Sequence, residues 1–236
     1  MNVAVIPARG GSKRIPKKNI RLFYNKPIIA YSIELAKRSG LFDLIIVSTD
    51  SEEIASISRQ YGAEIPFKRP AELSDDQAGT TEVLIHAETY LQQEAGYSID
   101  YLCCIYPTAP LLTEEYLKAG YNALKKNKVF NIAFSSAKYS YPVLRSFYLG
   151  SDSSPDMLFP ENYYKNSQEL RDVYHDAGQF YWWRFGKLTD GKILFGSDSF
   201  AVILPEILVQ DIDTEEDWQM TEYKYGFLRN AIKEDQ

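Results

Sequence analysis

Short apolar runs alternate with segments of helical period through the first half of the chain. Val3–Ile6, Leu44–Ser48 and Tyr101–Tyr106 read as strands, whereas Ile28–Ser39, Glu52–Tyr61, Thr80–Gln93 and Thr113–Lys126 repeat their apolar residues at helical spacing. That rhythm predicts an α/β fold, Rossmann-like, with a mostly parallel central sheet flanked by helices. The punctuation agrees with the pattern. Lys37 and Arg38 complement the dipole at the end of the first helix and Gly40 can close it. Asp50 is placed to cap the next helix, with Glu53 in capping-box position, and Gly62 follows that helix.

After a strand at Asn131–Ser135 the texture changes. Residues 138–177 are rich in Tyr, Pro, Ser and Asp and show little helical period, which predicts an extended insertion with short strands. Tyr139, Tyr141, Phe147, Tyr148, Tyr163 and Tyr164 are too many aromatics for a solvated linker. They predict a contact between two copies of the chain, the alternative being that they pack back on their own domain. Strand texture returns at Gly178–Trp183 and Phe200–Leu204, and a helix runs from about Thr214 to Ile232. Residues 1–236 thus read as a single domain whose 138–177 insertion is a dimerisation arm.

Bulk composition narrows the class. With 236 residues and 45% hydrophobic content the chain can bury a full core, and no apolar run approaches a membrane span. The N-terminus opens on a core strand without a basic n-region, so a cytoplasmic protein is expected. A net charge of -6 argues against a nucleic-acid partner but leaves room for a local basic pocket. Cys103 and Cys104 are neighbours on a predicted buried strand and read as core residues.

One stretch departs from that acidic average. Directly behind the first strand, Arg9-Gly10-Gly11-Ser12-Lys13-Arg14-Ile15-Pro16-Lys17-Lys18-Asn19 gathers five cations and two glycines. Glycines 10 and 11 can take positive φ and approach a ligand closely, so that successive N–H groups point at phosphate oxygens. Lys13, Arg14, Lys17 and Lys18 add charge, and the Arg9 fork can grip two oxygens. The segment departs from both the P-loop and the G-x-G-x-x-G spacings. A solvated basic turn is the plain alternative, but the carboxyl end of a strand is where α/β sheets bind ligands. A second stretch, Asp211-Ile212-Asp213-Thr214-Glu215-Glu216-Asp217, sets two carboxylates two residues apart. In extended backbone both face one side and can share a hard cation such as Mg²⁺. The alternative is a helix N-terminus capped by Asp213 or Thr214.

Four motifs in order carry a resemblance that covers nearly the whole chain: Ala8-Arg9-Gly10-Gly11-Ser12-Lys13 with Lys18-Asn19, Arg69-Pro70-Ala71-Glu72-Leu73-Ser74, Pro107-Thr108-Ala109-Pro110-Leu111, and Asp211-x-Asp213. Together they resemble the cytidylyltransferases that activate nonulosonic acids with CTP. Tyr174-His175-Asp176-Ala177-Gly178-Gln179-Phe180-Tyr181-Trp182 and Tyr106-Pro107-Thr108 are most similar to the members that act on pseudaminic acid. The resemblance implies a Mg²⁺-dependent attack of the sugar C2 hydroxyl on the CTP α-phosphate, releasing pyrophosphate. It implies that Arg9, Gly10, Ser12, Lys13 and Lys18 hold the phosphates, and that Asn19 fixes ribose and loop. Arg69 would lie near the cytosine, with Thr80 or Thr81 as nucleotide-contacting hydroxyls.

Asp211 and Asp213 would be the metal ligands, and Arg9, Lys13, Lys18 and Asp213 the catalytic set, with no dedicated general base evident. Tyr106, Pro107, Thr108 and Gln179 would be further substrate-binding residues, His175 and Asp176 would lie in the segment that the family places at the sugar, and a homodimer is implied. Sialic acid synthetases of this family carry Gln where Tyr106 stands and an Arg-Pro-Asn type segment where His175-Asp176-Ala177 stands, which turns the expectation away from N-acetylneuraminate. The cation for the sugar carboxylate is then open among Lys138, Arg145, Lys165 and Arg171. Competing readings are the same reaction on legionaminate or N-acetylneuraminate, a silent nucleotide-binding protein, and a sugar-1-phosphate nucleotidyltransferase.

Overall fold

Five of the six strands of the central sheet divide their side chains between two cores. In β1 (Asn2–Pro7), Ala4 and Ile6 join one apolar cluster while Val3 and Val5 join the other. This is the period-two alternation of a strand covered on both faces. The computed structural model describes residues 1–75, 78–188 and 194–234. After β1 come a short hairpin, β2 (Leu22–Phe23) and β3 (Lys26–Pro27), and then α1 (Ile28–Ser39), β4 (Leu44–Ser48) and α2 (Glu52–Tyr61). The chain continues through α3 (Thr80–Gln93), β5 (Tyr101–Ile105), α4 (Glu114–Lys126) and β6 (Ile132–Lys138). A second hairpin, β7 (Phe147–Leu149) and β8 (Pro155–Met157), precedes β9 (Tyr174–Arg184), β10 (Ser199–Leu204) and α5 (Glu215–Glu234).

The sheet runs in the order β10-β6-β9-β5-β1-β4. β9 is antiparallel to both of its neighbours, and the other pairings are parallel. Leaving β1, the chain goes first to β4 on one flank and later to β5 on the other. Their carboxyl ends therefore border a switch point, where open α/β sheets take ligands. α1 and α4 cover one face and α3 the other. Cys103 and Cys104 are both fully buried, one in each core, and burial pushes both thiols up.

The helix ends follow the predicted glycines: Gly40 and Gly62 sit in the left-handed region at φ 64° and 93°. The predicted cap of α2 is corrected. Ser51 is the N-cap, accepting from the Ile54 N–H, while Asp50 accepts from the Gly10 N–H at 2.8 Å and Glu53 pairs with Lys17 at 2.7 Å. Both carboxylates find donors on the basic loop, Asp50 a backbone N–H and Glu53 a lysine, and these outweigh the capping pattern.

Candidate active site

The loop after β1 is held by its own sequence. Ile15 is buried with Phe23, Ile28, Ile212 and Trp218 in a small separate core, so an apolar residue in the middle of the basic run anchors it. Asn19, also buried, donates from Nδ2 to the Arg9 carbonyl at 3.0 Å and closes the loop on itself. Positive φ falls on Lys17, at 53°, whereas neither Gly10 nor Gly11 adopts it. The expected left-handed glycines are thus corrected. Gly10 serves the site in a different way: a Cβ there would press on the Ser51 Cβ at 3.1 Å, and the close approach lets its N–H reach Asp50.

Above this loop opens a cleft of about 640 Å³. Arg9, Ser12, Lys13, Arg14, Lys18 and Asn19 line it from the loop, Thr80 from the start of α3, Tyr106, Pro107 and Thr108 from the end of β5, and Arg69 from below. Five of these side chains are cationic, and no carboxylate is among the described lining residues. An anionic ligand of polyphosphate size is the complement of such a wall.

The cations differ in how they are held. Arg69 is buried, with its guanidinium donating to the Ser48 carbonyl and hydroxyl, and burial lowers its pKa to about 10 despite Asp50. It braces the strand end from within the wall. Arg9 donates from Nη1 to the Asp75 carbonyl. Lys18 donates to the Ile212 carbonyl and lies 3.5 Å from Asp213, and Arg14 lies 2.8 Å from Asp213. Lys17, by contrast, is turned to Glu53 and does not line the cleft.

Ile212 explains how the acidic pair is presented. Its side chain is fully buried in the small core beside Ile15, so in extended backbone the flanking carboxylates face the other way. Confinement by the surrounding chain and then the charge of Asp213 push the Asp211 pKa up, which marks the two acids as electrostatic neighbours. Capping of α5 does not consume them. Thr214 and Asp217 form a reciprocal box, Asp217 accepting from the Asp213 and Thr214 N–H groups at 3.1 and 2.8 Å and Thr214 Oγ1 accepting from the Asp217 N–H at 3.2 Å. Two oxygen-donor side chains with a raised mutual repulsion, beside a phosphate-sized cleft, fit a hard divalent cation.

The segment 174–179 behaves differently from the loop. His175, half-buried, lies against the Tyr139 ring with its Nδ1 2.8 Å from the Asp176 carbonyl oxygen. Gln179 is 2% exposed and donates to the Leu208 carbonyl. Asp176 accepts from the Gly178 N–H at 2.9 Å and the Tyr181 hydroxyl at 2.7 Å. None of the three lines the cleft, and neither do Gly10, Thr81, Lys138, Arg145, Lys165 or Arg171. Thr81 lines a smaller adjoining chamber of about 190 Å³, together with Tyr181, Trp183, Leu188 and Leu194. Lys138 pairs with Asp172 at 2.5 Å, away from the cleft. Sequence reasoning passed over Pro7, Ala78, Gly79 and Val83 in the cleft wall, whose aliphatic surfaces carry no charge signal.

Residues 3–182 match the cytidylyltransferase family, a span that includes every cleft-lining residue and leaves the Asp211–Asp213 pair beyond it. The chain is 42% identical over 224 residues to the pseudaminic acid cytidylyltransferase of Campylobacter jejuni, an alignment covering 95% of this chain and 96% of that one. It is 31% identical over 237 residues to the CMP-N,N'-diacetyllegionaminic acid synthase of Legionella pneumophila, covering 98% of each. The solved structure of a CMP:2-keto-3-deoxy-manno-octonic acid synthetase complexed with CTP superposes with a TM-score of 0.68 at 17% identity, over 95% of this chain and 98% of that one. That last likeness speaks for the fold. The chain belongs to the cytidylyltransferase family and is a nucleotidyltransferase enzyme.

Proposed function

We propose that the enzyme joins CMP from CTP to a nonulosonic acid, with pseudaminic acid as the substrate. The observation that carries the reading is the cationic cleft at the ends of β1 and β5, flanked by a carboxylate pair free of capping duty. The C. jejuni relative, at 42% identity over nearly full length, favours pseudaminate over the legionaminate of the more distant relative.

In this reading Arg9, Lys13 and Lys18 bind the triphosphate and offset charge on the departing pyrophosphate, and the Ser12 hydroxyl adds a donor. Asn19 keeps the loop closed under them, and Arg69 keeps the end of β4 fixed below the base. Asp211 and Asp213 would hold Mg²⁺, which when bound neutralises phosphate oxygens as a Lewis acid. Arg14 and Lys18, which neighbour Asp213, tie that pair to the loop so that metal and phosphate sites keep register. The C2 hydroxyl of the acid attacks the α-phosphorus, the bond to the bridging oxygen breaks, and pyrophosphate and a proton leave. Tyr106 and Thr108, which line the cleft, are in this reading residues that meet the acid.

We further propose a homodimer in the cytoplasm, where CTP is available. The chain leaves the sheet after Lys138 and rejoins it at Tyr174. The arm between carries Tyr141 at 82% and Tyr164 at 93% exposure, aromatic surface suited to a second copy. No helix among the described residues is long and apolar enough to cross a membrane. The test is product mass and pyrophosphate release with each nucleoside triphosphate in turn. CTP with a free nonulosonic acid should give a CMP conjugate. Turnover only with a sugar 1-phosphate would overturn the reading in favour of a different nucleotidyltransferase.

A further inference from the structure

Resting on the nonulosonate reading, we propose that Asp176 is a positioning residue that sets the sugar side of the cleft through the phenol of Tyr181, without touching the sugar itself. The argument starts from a break in the sheet. β6 and β9 pair Phe134 with Tyr181 and Ser136 with Asp176, so Ser135 alone faces the whole of Ala177 to Phe180. β9 must bulge there, and Gly178 takes φ 62° at the turn of it. Two side chains hold the bulge closed. From β6, the fully buried Ser135 hydroxyl accepts the N–H groups of Gln179 and Phe180 at 3.0 and 3.2 Å. From the strand itself, Asp176 accepts the Gly178 N–H on one carboxylate oxygen and the Tyr181 hydroxyl on the other.

One carboxylate thus ties the bulge to a phenol that is only 8% exposed. A side chain with both oxygens engaged inside its own strand is poorly placed to read a ligand, and Asp176 does not line the cleft. Its effect travels outward instead. The Tyr181 ring packs against Tyr106 with centroids 5.6 Å apart, and Tyr106, a cleft-lining residue, shares a 3.0 Å hydrogen bond with Thr80 at the start of α3. Tyr181 also walls the adjoining chamber that Thr80 and Tyr106 share with the cleft. Tyr106 is further tied to the same bulge by its backbone, its N–H donating to the Gln179 carbonyl at 2.9 Å. Loss of the Asp176–Tyr181 bond would unpin the Tyr181 ring, and Tyr106, which packs on that ring, would lose its fixed place in the cleft wall. The triphosphate side, on the loop after β1, shares none of these contacts.

The test is steady-state kinetics on Asp176→Ala, Tyr181→Phe and the double variant, with CTP and the acid varied separately, using whichever nonulosonic acid wild type turns over. Each single variant should raise the KM for the acid about tenfold while the KM for CTP stays within about twofold. The double variant should be no worse than the more affected single one, because both remove the same link. Tyr181→Phe keeps the ring and volume, so it remains informative if Asp176→Ala folds poorly. An effect of Asp176→Ala with none from Tyr181→Phe would mean direct sugar contact and would overturn the proposal, as would additive effects or equal rises in both KM values. If wild type converts no nonulosonic acid, the functional reading fails and the proposal with it. An active wild type whose acid KM is unchanged in both variants defeats the proposal alone.

Discussion

Asp213 lies 2.8 Å from the Arg14 guanidinium and 3.5 Å from the Lys18 ammonium, and it spends no carboxylate oxygen on capping α5. Partly exposed pairs of this kind add little to stability, so the position can be altered without unfolding the chain. Asp213→Asn is expected to lower turnover by about 100-fold or more, since charge stabilisation at a reacting phosphate is worth that much, while the melting temperature stays near wild type. Pyrophosphate release read beside a thermal melt separates the two effects, and a variant with wild-type turnover would remove Asp213 from the chemistry. Glu88 offers a second test at this scale. Burial on α3 raises its pKa, against the lowering effect of the Gly186 N–H at 3.2 Å. The folded state therefore holds that proton more tightly than the unfolded one. Its stability is fullest below the ordinary glutamate pKa and falls as pH rises through the raised value. Glu88→Gln should be more stable than wild type at neutral pH in urea denaturation, with the gap closing at acid pH; a gap that widens on acidification would contradict this. The loop cations and the acid pair were legible because charge density and spacing are local properties of a sequence. The contacts of Asp176 were not, because its two donors are set by a bulge that exists only once β9 pairs with β6.

At the scale of elements, α1, α2 and α3 occupy the predicted residues, because glycines or helical periodicity bounded each of them. β9 begins earlier than its apolar run suggests. Tyr174 to Asp176 read as the end of the extended insertion, yet they pair with β6 in register Ser136 to Asp176, Ala137 to His175 and Lys138 to Tyr174, backbone bonding overriding a polar texture. The packing of α4 on this strand gives a sharp prediction. Gly120 sits where a Cβ would come within 2.9 Å of both Phe180 Cε2 and Trp182 Cδ1, and Trp182 is itself pinned by stacking on Phe42 and by donating to the Leu117 carbonyl. Gly120→Ala should destabilise the protein by about 1–3 kcal/mol through overpacking, measurable as a lower urea midpoint at unchanged m. A neutral or stabilising result would mean that α4 can slide on the sheet.

At the scale of the whole molecule, the family and the α/β class were readable because motif order and strand–helix rhythm extend over nearly the entire chain. The arm was visible only as a change of composition. Its hairpin presents Phe147 and Tyr148 at 54% and 67% exposure, and in the proposed dimer these are covered. Sedimentation should give a dimer for the wild type and a shift toward monomer for Phe147→Asp with Tyr148→Asp. A wild-type monomer at working concentration would contradict the assembly. The catalytic account stands or falls on one measurement: pyrophosphate release, with the mass of the conjugate, from CTP and Mg²⁺ with pseudaminic, legionaminic, N-acetylneuraminic and 3-deoxy-octulosonic acids side by side. The account predicts CMP-pseudaminate as the dominant product. Preferential conversion of another acid would contradict the substrate assignment, and no conjugate with any acid would contradict the proposed reaction.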